Sequence, residues 1–231
     1  ETYRVSEYLD HFIKPLSIAH KSYIKNSYEF VNKIRNFALQ NKCLLVTGDV
    51  TSLYTNMNID RTLNCVKTLF DNNRQIKRPD KHLLKLLEVC LRNNDFSFNG
   101  KFYLQTTGIA MGKRFAPSLA DIYLTEFDET AMNGFHVKPL LYFRYLDDVF
   151  FLWPSDLHTL KQFETFLNAQ IPDIKITFEH SDKEINFLDT TIYIDNNNTL
   201  QTKVFFKSTD THQLLHKKSF HPQHTFAGIL K

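Results

Sequence analysis

Two adjacent carboxylates, Asp147 and Asp148, lie inside an otherwise apolar segment, FRYLDDVFFLW, at residues 143–153. The aromatic and aliphatic residues on both sides predict strands that are buried on both faces. An ionised carboxylate is costly in such surroundings unless something compensates it, and neighbouring carboxylates also repel each other. We therefore predict an antiparallel hairpin over residues 141–153 with both carboxylates at its tip, where a divalent cation can neutralise them. For an isolated Asp-Asp sequence, a turn capped only by local hydrogen bonds is the alternative.

A third carboxylate, Asp49, stands at the end of another buried strand, CLLVTGDV, at residues 43–50. If this strand is a neighbour of the hairpin, Asp49, Asp147 and Asp148 converge on one edge of the sheet. Such carboxylates are typical of two-metal sites that act on phosphorus, where the ions activate an attacking hydroxyl and stabilise a leaving oxygen. All-oxygen ligation favours two Mg²⁺ ions, with Mn²⁺ as the alternative, over zinc. The four C-terminal histidines have irregular spacing and predict no zinc site: His212, His216, His221 and His224.

The composition is that of a folded protein with one large domain or two small ones, since 42% of the 231 residues are hydrophobic. A formal net charge of +3 permits a polyanionic partner without requiring one. Three widely spaced cysteines, Cys43, Cys65 and Cys90, favour reduced thiols and an intracellular compartment. No apolar run approaches the roughly 18 residues of a membrane span, so we expect no membrane association. Neither end of the chain carries a terminating signal, and we expect a fragment of a longer protein.

Helix and strand patterns alternate along the chain and predict an α+β fold in which helices back an antiparallel sheet. The Asn99-Gly100 sequence between aromatic runs predicts a type I′ hairpin, and Gly108 and Gly112 predict a loop with an approachable backbone. Helices are predicted at 6–14 (ended by Pro15), 26–38, 59–71, 79–92, 117–127 and 156–168. Further strands are predicted at 174–179, 185–194 and 200–207.

Four segments, in this order and at this spacing, resemble the reverse transcriptases of Penelope-like retroelements, which are related to telomerase reverse transcriptase. They are DVTSLYTNM (49–57), TGIAMGKRFAPSLADIYL (107–124), FRYLDDVFFLW (143–153) and EINFLDTTIYI (184–194). The resemblance runs from about residue 5 to the end of the chain and implies an RNA-directed DNA polymerase with the palm of a right-hand polymerase. Residues 1–42 would form a helical lead-in with partial fingers helices. Residues 43–194 would form the palm, and 195–231 the primer-grip hairpin and the start of the thumb.

The resemblance assigns the metal ligands and the nucleotide site. Asp49, with the backbone carbonyl of Val50, and Asp147 would bind the metal ions, and Asp148 would be the supporting carboxylate of the catalytic set. The incoming nucleotide would contact five positions: Ser52, Leu53, Tyr54, Met111 and Gly112. The ring of Tyr54 would clash with a 2′-hydroxyl and favour deoxynucleotides, whereas core packing after a strand is the alternative role of this residue.

Contacts with the template and primer are implied at Gly108, Lys113, Arg114, Tyr145 and Leu146. A solvated basic turn is the alternative for Lys113 and Arg114. Lys175 would donate a proton to the leaving pyrophosphate, and an exposed strand lysine is its alternative role. The family has Ile-Pro where this chain has Met57-Asn58. Its basic finger motifs, the rest of the thumb and a GIY-YIG endonuclease would lie outside residues 1–231.

The implied partners are an RNA template, a DNA primer and dNTPs, with no membrane, and the implied site of action is the nucleus. The sequence predicts no particular oligomeric state. Two other functions remain open. The chain could be a catalytically silent relative that binds nucleic acid or protein, or it could be an RNA-dependent RNA polymerase.

Overall fold

The computed structural model describes residues 3–210, 215–216 and 218–228. Its helices are α1 (Tyr3–Ser17), α2 (Ser27–Ile34), α3 (Leu53–Asn56), α4 (Ile59–Asn72), α5 (Asp80–Arg92), α6 (Ala116–Tyr123), α7 (Thr125–Asn133), α8 (Leu157–Asn168) and α9 (Gln223–Gly228). Its strands are β1 (Leu44–Val50), β2 (Asp95–Phe98), β3 (Lys101–Leu104), β4 (Tyr142–Tyr145), β5 (Asp148–Trp153), β6 (Ile176–Ser181), β7 (Glu184–Phe187), β8 (Thr190–Ile194) and β9 (Leu200–Val204). The predicted α+β class with antiparallel sheets is confirmed.

A four-stranded antiparallel sheet in the order β4-β5-β1-β6 forms the centre of the fold. In the pairing of β1 with β5, Leu44 lies opposite Trp153 at one end and Asp49 lies opposite Asp148 at the other. On the other side of β1, Val50 lies opposite Ile176 of β6. The predicted adjacency of the strand at 43–50 and the hairpin at 141–153 is therefore confirmed.

The two inner strands of the central sheet, β1 and β5, are buried on both faces because they are apolar at consecutive positions. Successive side chains of a strand point to opposite faces. Phe150 and Leu152 of β5 accordingly join one hydrophobic cluster, while Phe151 and Trp153 join the other. Each of these side chains is fully buried. Burial of one such side chain contributes roughly 1.5–3 kcal/mol, so the two-sided cover is a major source of stability.

The two faces are covered by different layers. On the Phe151 side lie helices α1, α4, α5, α6 and α8, which contribute Leu9, Phe70, Leu87, Leu119 and Phe163, among others, to one cluster. On the Phe150 side, α2 and the three-stranded sheet β7-β8-β9 supply Phe30, Ile185, Ile192 and Leu200. The open ends of the central strands remain between these layers.

The β2–β3 hairpin forms as predicted, with positive φ at Asn99 (49°) and Gly100 (71°). The residues of both strands are exposed to solvent. This hairpin therefore stands apart from the two hydrophobic clusters.

Three of the predicted helices have wrong bounds, and the strand predicted at 200–207 ends at Val204. Helix α1 continues through Pro15 to Ser17: because Pro15 lies in the last turn, it removes only one helical hydrogen bond, and Ile13 and Ser17 on either side of it are buried in the core. Helix α2 ends at Ile34, because Asn36 has φ 61° and the following segment hydrogen-bonds to the β9 edge. The segment predicted as a helix over 117–127 is divided at Leu124 into α6 and α7.

The predicted strand at 185–194 is also wrong, since this segment forms the separate strands β7 and β8. Leu188 adopts φ 51° at the turn between them. Asp189 in this turn accepts a hydrogen bond from Ser27 Oγ at 2.8 Å, and its carbonyl accepts one from the Phe205 N–H at 2.9 Å. Asp189 thus links this turn to α2 and to the segment that follows β9. No helix among the described residues has the length and apolar character needed to cross a membrane.

Candidate active site

Three carboxylates, here called the acidic rim, lie at the end of the central sheet where β1 ends and β5 begins: Asp49, Asp147 and Asp148. Asp49 and Asp148 are opposite each other in the β1–β5 pairing. The N–H of Val50 donates a hydrogen bond to the carbonyl of Asp147 at 3.0 Å. The backbone thus brings together the two carboxylate-bearing segments that are far apart in the sequence.

One residue of the acidic rim, Asp147, lies in a tight turn at residues 146–147. Tyr145 and Asp148 are opposite each other and close the β4–β5 hairpin, which leaves Leu146 and Asp147 in the connection. Leu146 has φ 53°, in the left-handed region. For a residue other than glycine this conformation costs about 1–2 kcal/mol, so surrounding contacts must hold it in place.

The pKa of two carboxylates in the acidic rim, Asp49 and Asp148, is raised by burial and by neighbouring negative charge. Burial raises the pKa of Asp49, and the charge of Asp147 adds to this effect. Burial and the charges of Asp147 and Asp49 raise the pKa of Asp148 to about 6, partly offset by Lys207. The acidic rim is therefore a region of unfavourable negative charge, which a hard cation with oxygen ligands would relieve.

The donor set fits a magnesium-type ion in its chemistry, because Asp49, Asp147 and the Val50 carbonyl are all oxygen donors. Within residues 3–210, 215–216 and 218–228, no group of three or more His, Cys, Asp or Glu side chains is arranged to hold a metal ion. A site here would therefore use two carboxylates with Asp148 in support, and these metal-binding roles stay predictions. His212 lies outside the described residues.

An open cleft of about 790 Å³ adjoins the turn. Its lining includes seven of the residues predicted to contact nucleotide, template or primer: Tyr54, Met111, Gly112, Lys113, Arg114, Tyr145 and Leu146. Helix α1 and the segment after it supply another wall, with Asp10, Lys14 and Lys25 among its residues. The structure thus places most of the predicted substrate-contacting residues around one space.

Two residues predicted to contact the nucleotide do not line the cleft. The side chain of Leu53 is only 2% exposed and belongs to the main hydrophobic cluster, and its predicted contact with the nucleotide stays a prediction. Ser52 is exposed at the start of α3 and has φ 51°. Its carbonyl accepts hydrogen bonds from the N–H groups of Thr55 and Asn56. Its role therefore stays a prediction.

Gly108 and Gly112 have different surroundings. A Cβ on Gly108 would lie 2.7 Å from the carbonyl oxygens of Tyr54 and Thr55, and its φ is 73°. The absence of a side chain at Gly108 is thus explained by its contact with α3. Gly112 has φ 91°, and an added Cβ would have no heavy atom within 4 Å, so only its backbone conformation favours glycine.

Lys175 and Arg114 are each engaged by another part of the protein. Lys175 Nζ donates a hydrogen bond to the Asn168 carbonyl at 2.7 Å, while the Lys175 carbonyl accepts the Thr51 N–H at 2.8 Å. The backbone of Lys175 therefore adjoins the end of β1, but its ammonium group is bound to α8. Arg114 Nε donates to the Tyr3 hydroxyl at 2.8 Å. The proton-donor and template roles stay predictions.

A buried cluster of Arg144, Asp121 and Asp128, here called the Arg144 cluster, lies behind the turn. Arg144 Nε contacts both carboxylate oxygens of Asp128, at 2.8 and 3.0 Å, and Nη1 donates to Asp121 Oδ1 at 2.9 Å. These three residues are 0–5% exposed. The sequence alone does not reveal this cluster, although a lone arginine inside an apolar strand indicates a buried acidic partner.

No family model matches the sequence, and no curated protein matches it. The fold is shared with solved polymerases. The apo telomerase of Candida tropicalis, truncated from its C-terminal domain, gives a TM-score of 0.66 at 13% identity, over 87% of this chain and 45% of that one. The telomerase of the same organism with the TWJ fragment of telomeric RNA gives 0.61 at 15% identity, over 98% and 40%.

The RNA-dependent RNA polymerase of a human picobirnavirus gives a TM-score of 0.54 at 10% identity, over 84% of this chain and 36% of that one. The chain thus spans less than half the length of these three structures. Its fold is of the nucleic-acid polymerase class and is similar to that of the reverse transcriptase of telomerase.

Proposed function

We propose that this chain is the palm region of a Penelope-like RNA-directed DNA polymerase, which transfers a deoxynucleotide to the 3′-hydroxyl of a DNA primer paired with an RNA template. The observation that carries the proposal is the pairing of β1 with β5, which sets Asp49 opposite Asp148, next to the turn whose Leu146 lines the cleft. The telomerase-like fold and the four sequence segments support it further.

In this proposal, Asp49, Asp147 and the Val50 carbonyl would hold two Mg²⁺ ions, or Mn²⁺, with Asp148 in support. When bound, such ions activate the attacking hydroxyl and stabilise charge on the leaving oxygen. Burial and the charge of neighbouring carboxylates raise the pKa of Asp49 and Asp148, which supports the assignment because a bound cation would offset this electrostatic cost.

Tyr54 would select the sugar of the incoming nucleotide. Its ring is half-buried and lines the cleft. Its carbonyl accepts the Ile109 N–H at 2.7 Å, which holds the backbone of α3 against the Gly108 loop. A ring held in this way can exclude a 2′-hydroxyl by steric contact, whereas a free loop residue would yield to it.

The RNA template and DNA primer would occupy the cleft. Lys113 and Arg114 lie on one side of it, with Tyr145 and Leu146 beside the acidic rim. Basic side chains at a cleft attract the phosphates of a nucleic acid. One telomerase of similar fold was solved with an RNA fragment. The nucleus is proposed as the site of action on the resemblance to Penelope-like elements alone.

The test is extension of a DNA primer on an RNA template by the purified chain with Mg²⁺ and dNTPs. We expect extension by the wild type and loss to background in Asp147→Asn, because one metal ligand is removed. The matched control is Asp156→Asn. This residue caps α8 through its Oδ1, which asparagine also provides. Equal extension by Asp147→Asn and the wild type would exclude the proposed mechanism.

An RNA-dependent RNA polymerase is the second candidate, favoured by the likeness to the picobirnavirus enzyme. The two candidates differ in the sugar they accept and can be separated by supplying dNTPs or NTPs to the same primer and template. A catalytically silent binding domain would extend with neither, yet would retain the RNA in a filter-binding assay.

A further inference from the structure

The guanidinium group of Arg144 connects the Arg144 cluster to the turn that carries Asp147. Its Nη1 donates to Asp121 Oδ1 at 2.9 Å and also to the carbonyl of Leu146 at 3.1 Å. Its Nη2 donates to the backbone carbonyl of Asp121 at 3.1 Å. One rigid planar group thus contacts helix α6 and the residue immediately before Asp147.

The position of the guanidinium is fixed from several directions. Asp128 of α7 accepts a hydrogen bond from Arg144 Nε. It also accepts hydrogen bonds from Ser22 Oγ at 2.7 Å and from the Tyr142 hydroxyl at 3.0 Å. The backbone N–H of Arg144 donates to the Ser22 carbonyl at 2.8 Å. Arg144 therefore has little freedom to move relative to α6, α7 or β4.

The turn is held at two points. Arg144 binds the carbonyl of Leu146, which has the left-handed φ of 53°. The N–H of Val50 binds the carbonyl of Asp147, the next residue. These two bonds restrain the Asp147 backbone relative to the end of β1, where Asp49 lies.

Stability alone does not account for a buried arginine with two carboxylates. The desolvation of such groups offsets much of their attraction, and well-packed apolar side chains of similar size are often as stabilising. Fixing a geometry is a role that apolar side chains cannot fill, because only directional hydrogen bonds can hold a carbonyl in a strained turn.

We propose that Arg144 is a positioning residue, which holds the Leu146 carbonyl and thereby sets the placement of Asp147 relative to Asp49. The metal-binding part of this inference rests on the proposed function. The hydrogen-bonded turn itself does not.

The first experiment measures amide hydrogen exchange at Val50 in Arg144→Lys. Lysine retains the charge but lacks the planar fork that reaches acceptor atoms on Asp121, Asp128 and Leu146 at once. We expect exchange at Val50 to become about tenfold faster, because the bond to Asp147 opens more often. The matched control is Arg78→Lys. Arg78 is also buried, binds Asp80 and two backbone carbonyls, and lies between α4 and α5.

The second experiment measures Mn²⁺ binding to the same variants by electron paramagnetic resonance of the free ion. Loss of a group that orients a ligand typically lowers metal affinity about 10–100-fold, and we expect a decrease of this order in Arg144→Lys but not in Arg78→Lys. Asp147→Asn supplies the reference for a lost ligand.

Wild-type behaviour of Arg144→Lys in both measurements, or equal changes in Arg78→Lys, would overturn the proposal. If the wild type binds no Mn²⁺ through Asp147 while Arg144→Lys alone accelerates Val50 exchange, the proposed function fails and the positioning role stands. Should Arg144→Lys not fold, Asp128→Asn takes its place, since it weakens the bidentate contact with little change in shape. Unchanged Val50 exchange in that variant would also refute the proposal.

Discussion

Adjacent residues in this chain have different environments, as Asp147 and Asp148 show. Asp148 begins β5 and lies opposite Asp49 in the sheet, whereas Asp147 lies in the turn. Burial and its two acidic neighbours raise the pKa of Asp148 to about 6. The folded protein therefore bears a local electrostatic cost at neutral pH that the unfolded chain does not.

We predict that Asp148→Asn stabilises the metal-free protein at neutral pH. The folded pKa of about 6 lies above the unfolded value of about 3.9, so the penalty develops as pH rises between these values and is complete above the higher one. After allowance for solvent screening, the gain is on the order of 1 kcal/mol, or about 2–4 °C in melting temperature.

Thermal melts with a chelator at about pH 7.5 and pH 4 check this prediction, since the gain should disappear at the lower pH. The control is Asp156→Asn, because the hydrogen bonds from Thr159 lower the pKa of Asp156 and removal of its charge should give no gain. Identical melting of Asp148→Asn and the wild type at the higher pH would contradict the prediction.

Tyr54→Ala should relax the choice of sugar in an active enzyme. Removal of the ring opens the cleft where a 2′-hydroxyl would lie, while the backbone bond from Ile109 to residue 54 is retained. We expect the preference for dNTP over NTP, measured as a ratio of kcat/KM values, to fall by at least about tenfold, or about 1.4 kcal/mol.

The control for this variant is Tyr28→Ala, because Tyr28 is 82% exposed on α2. An unchanged sugar preference in Tyr54→Ala would count against a reverse transcriptase and in favour of the packing role.

At the scale of elements, the sequence predicts those segments whose local pattern agrees with their final packing. The apolar strands β1 and β5 and the helices α4 and α5 have patterns that the tertiary structure does not alter. The failures lie where tertiary contacts override the pattern. Residues 37–39 bind the edge of the small sheet instead of extending α2, and the turn at Leu188 divides a continuous apolar run.

The candidate site was predicted to a similar extent and for similar reasons. Carboxylates at the ends of buried strands predict the acidic rim, because neighbouring antiparallel strands bring such positions together at one end of the sheet. The Arg144 cluster was missed, because its three members come from separate elements and their burial follows only from packing. The sequence also could not show that Leu53 points into the core or that Gly108 serves a contact with α3.

Gly108→Ala should destabilise the protein more than Gly112→Ala. Both residues have positive φ, but an added Cβ at Gly108 would lie 2.7 Å from two carbonyl oxygens of α3, while Gly112 has open space. We expect a loss of about 1 kcal/mol at Gly112 from conformation alone and about 2–4 kcal/mol at Gly108, where steric overlap adds to it. Urea unfolding of the two variants measures the difference. Equal free energies of unfolding would contradict the contact with α3.

At the scale of the whole molecule, the two layers cover the faces of the central sheet and leave uncovered the strand ends that carry the acidic rim. A ligand that binds only the folded state stabilises it by RT ln(1 + [L]/Kd). We therefore predict that Mg²⁺ at about ten times its Kd raises the stability of the wild type by about 1.4 kcal/mol.

Thermal melts with and without Mg²⁺ measure this gain. It should be absent in Asp147→Asn and retained in Asp156→Asn, whose substitution lies in the α8 cap. A gain of the same size in Asp147→Asn would mean that the ion binds elsewhere.

The register of β1 against β5 makes correct folding a condition for assembling the acidic rim. Successive strand residues alternate between faces, so a slip of one residue would turn Leu45 and Val46 towards the wrong layers and move Asp49 away from Asp148. A slipped strand would thus lose both hydrophobic clusters together with the alignment of its carboxylates. The packing of the core therefore also selects the strand register in which Asp49 and Asp148 lie opposite each other.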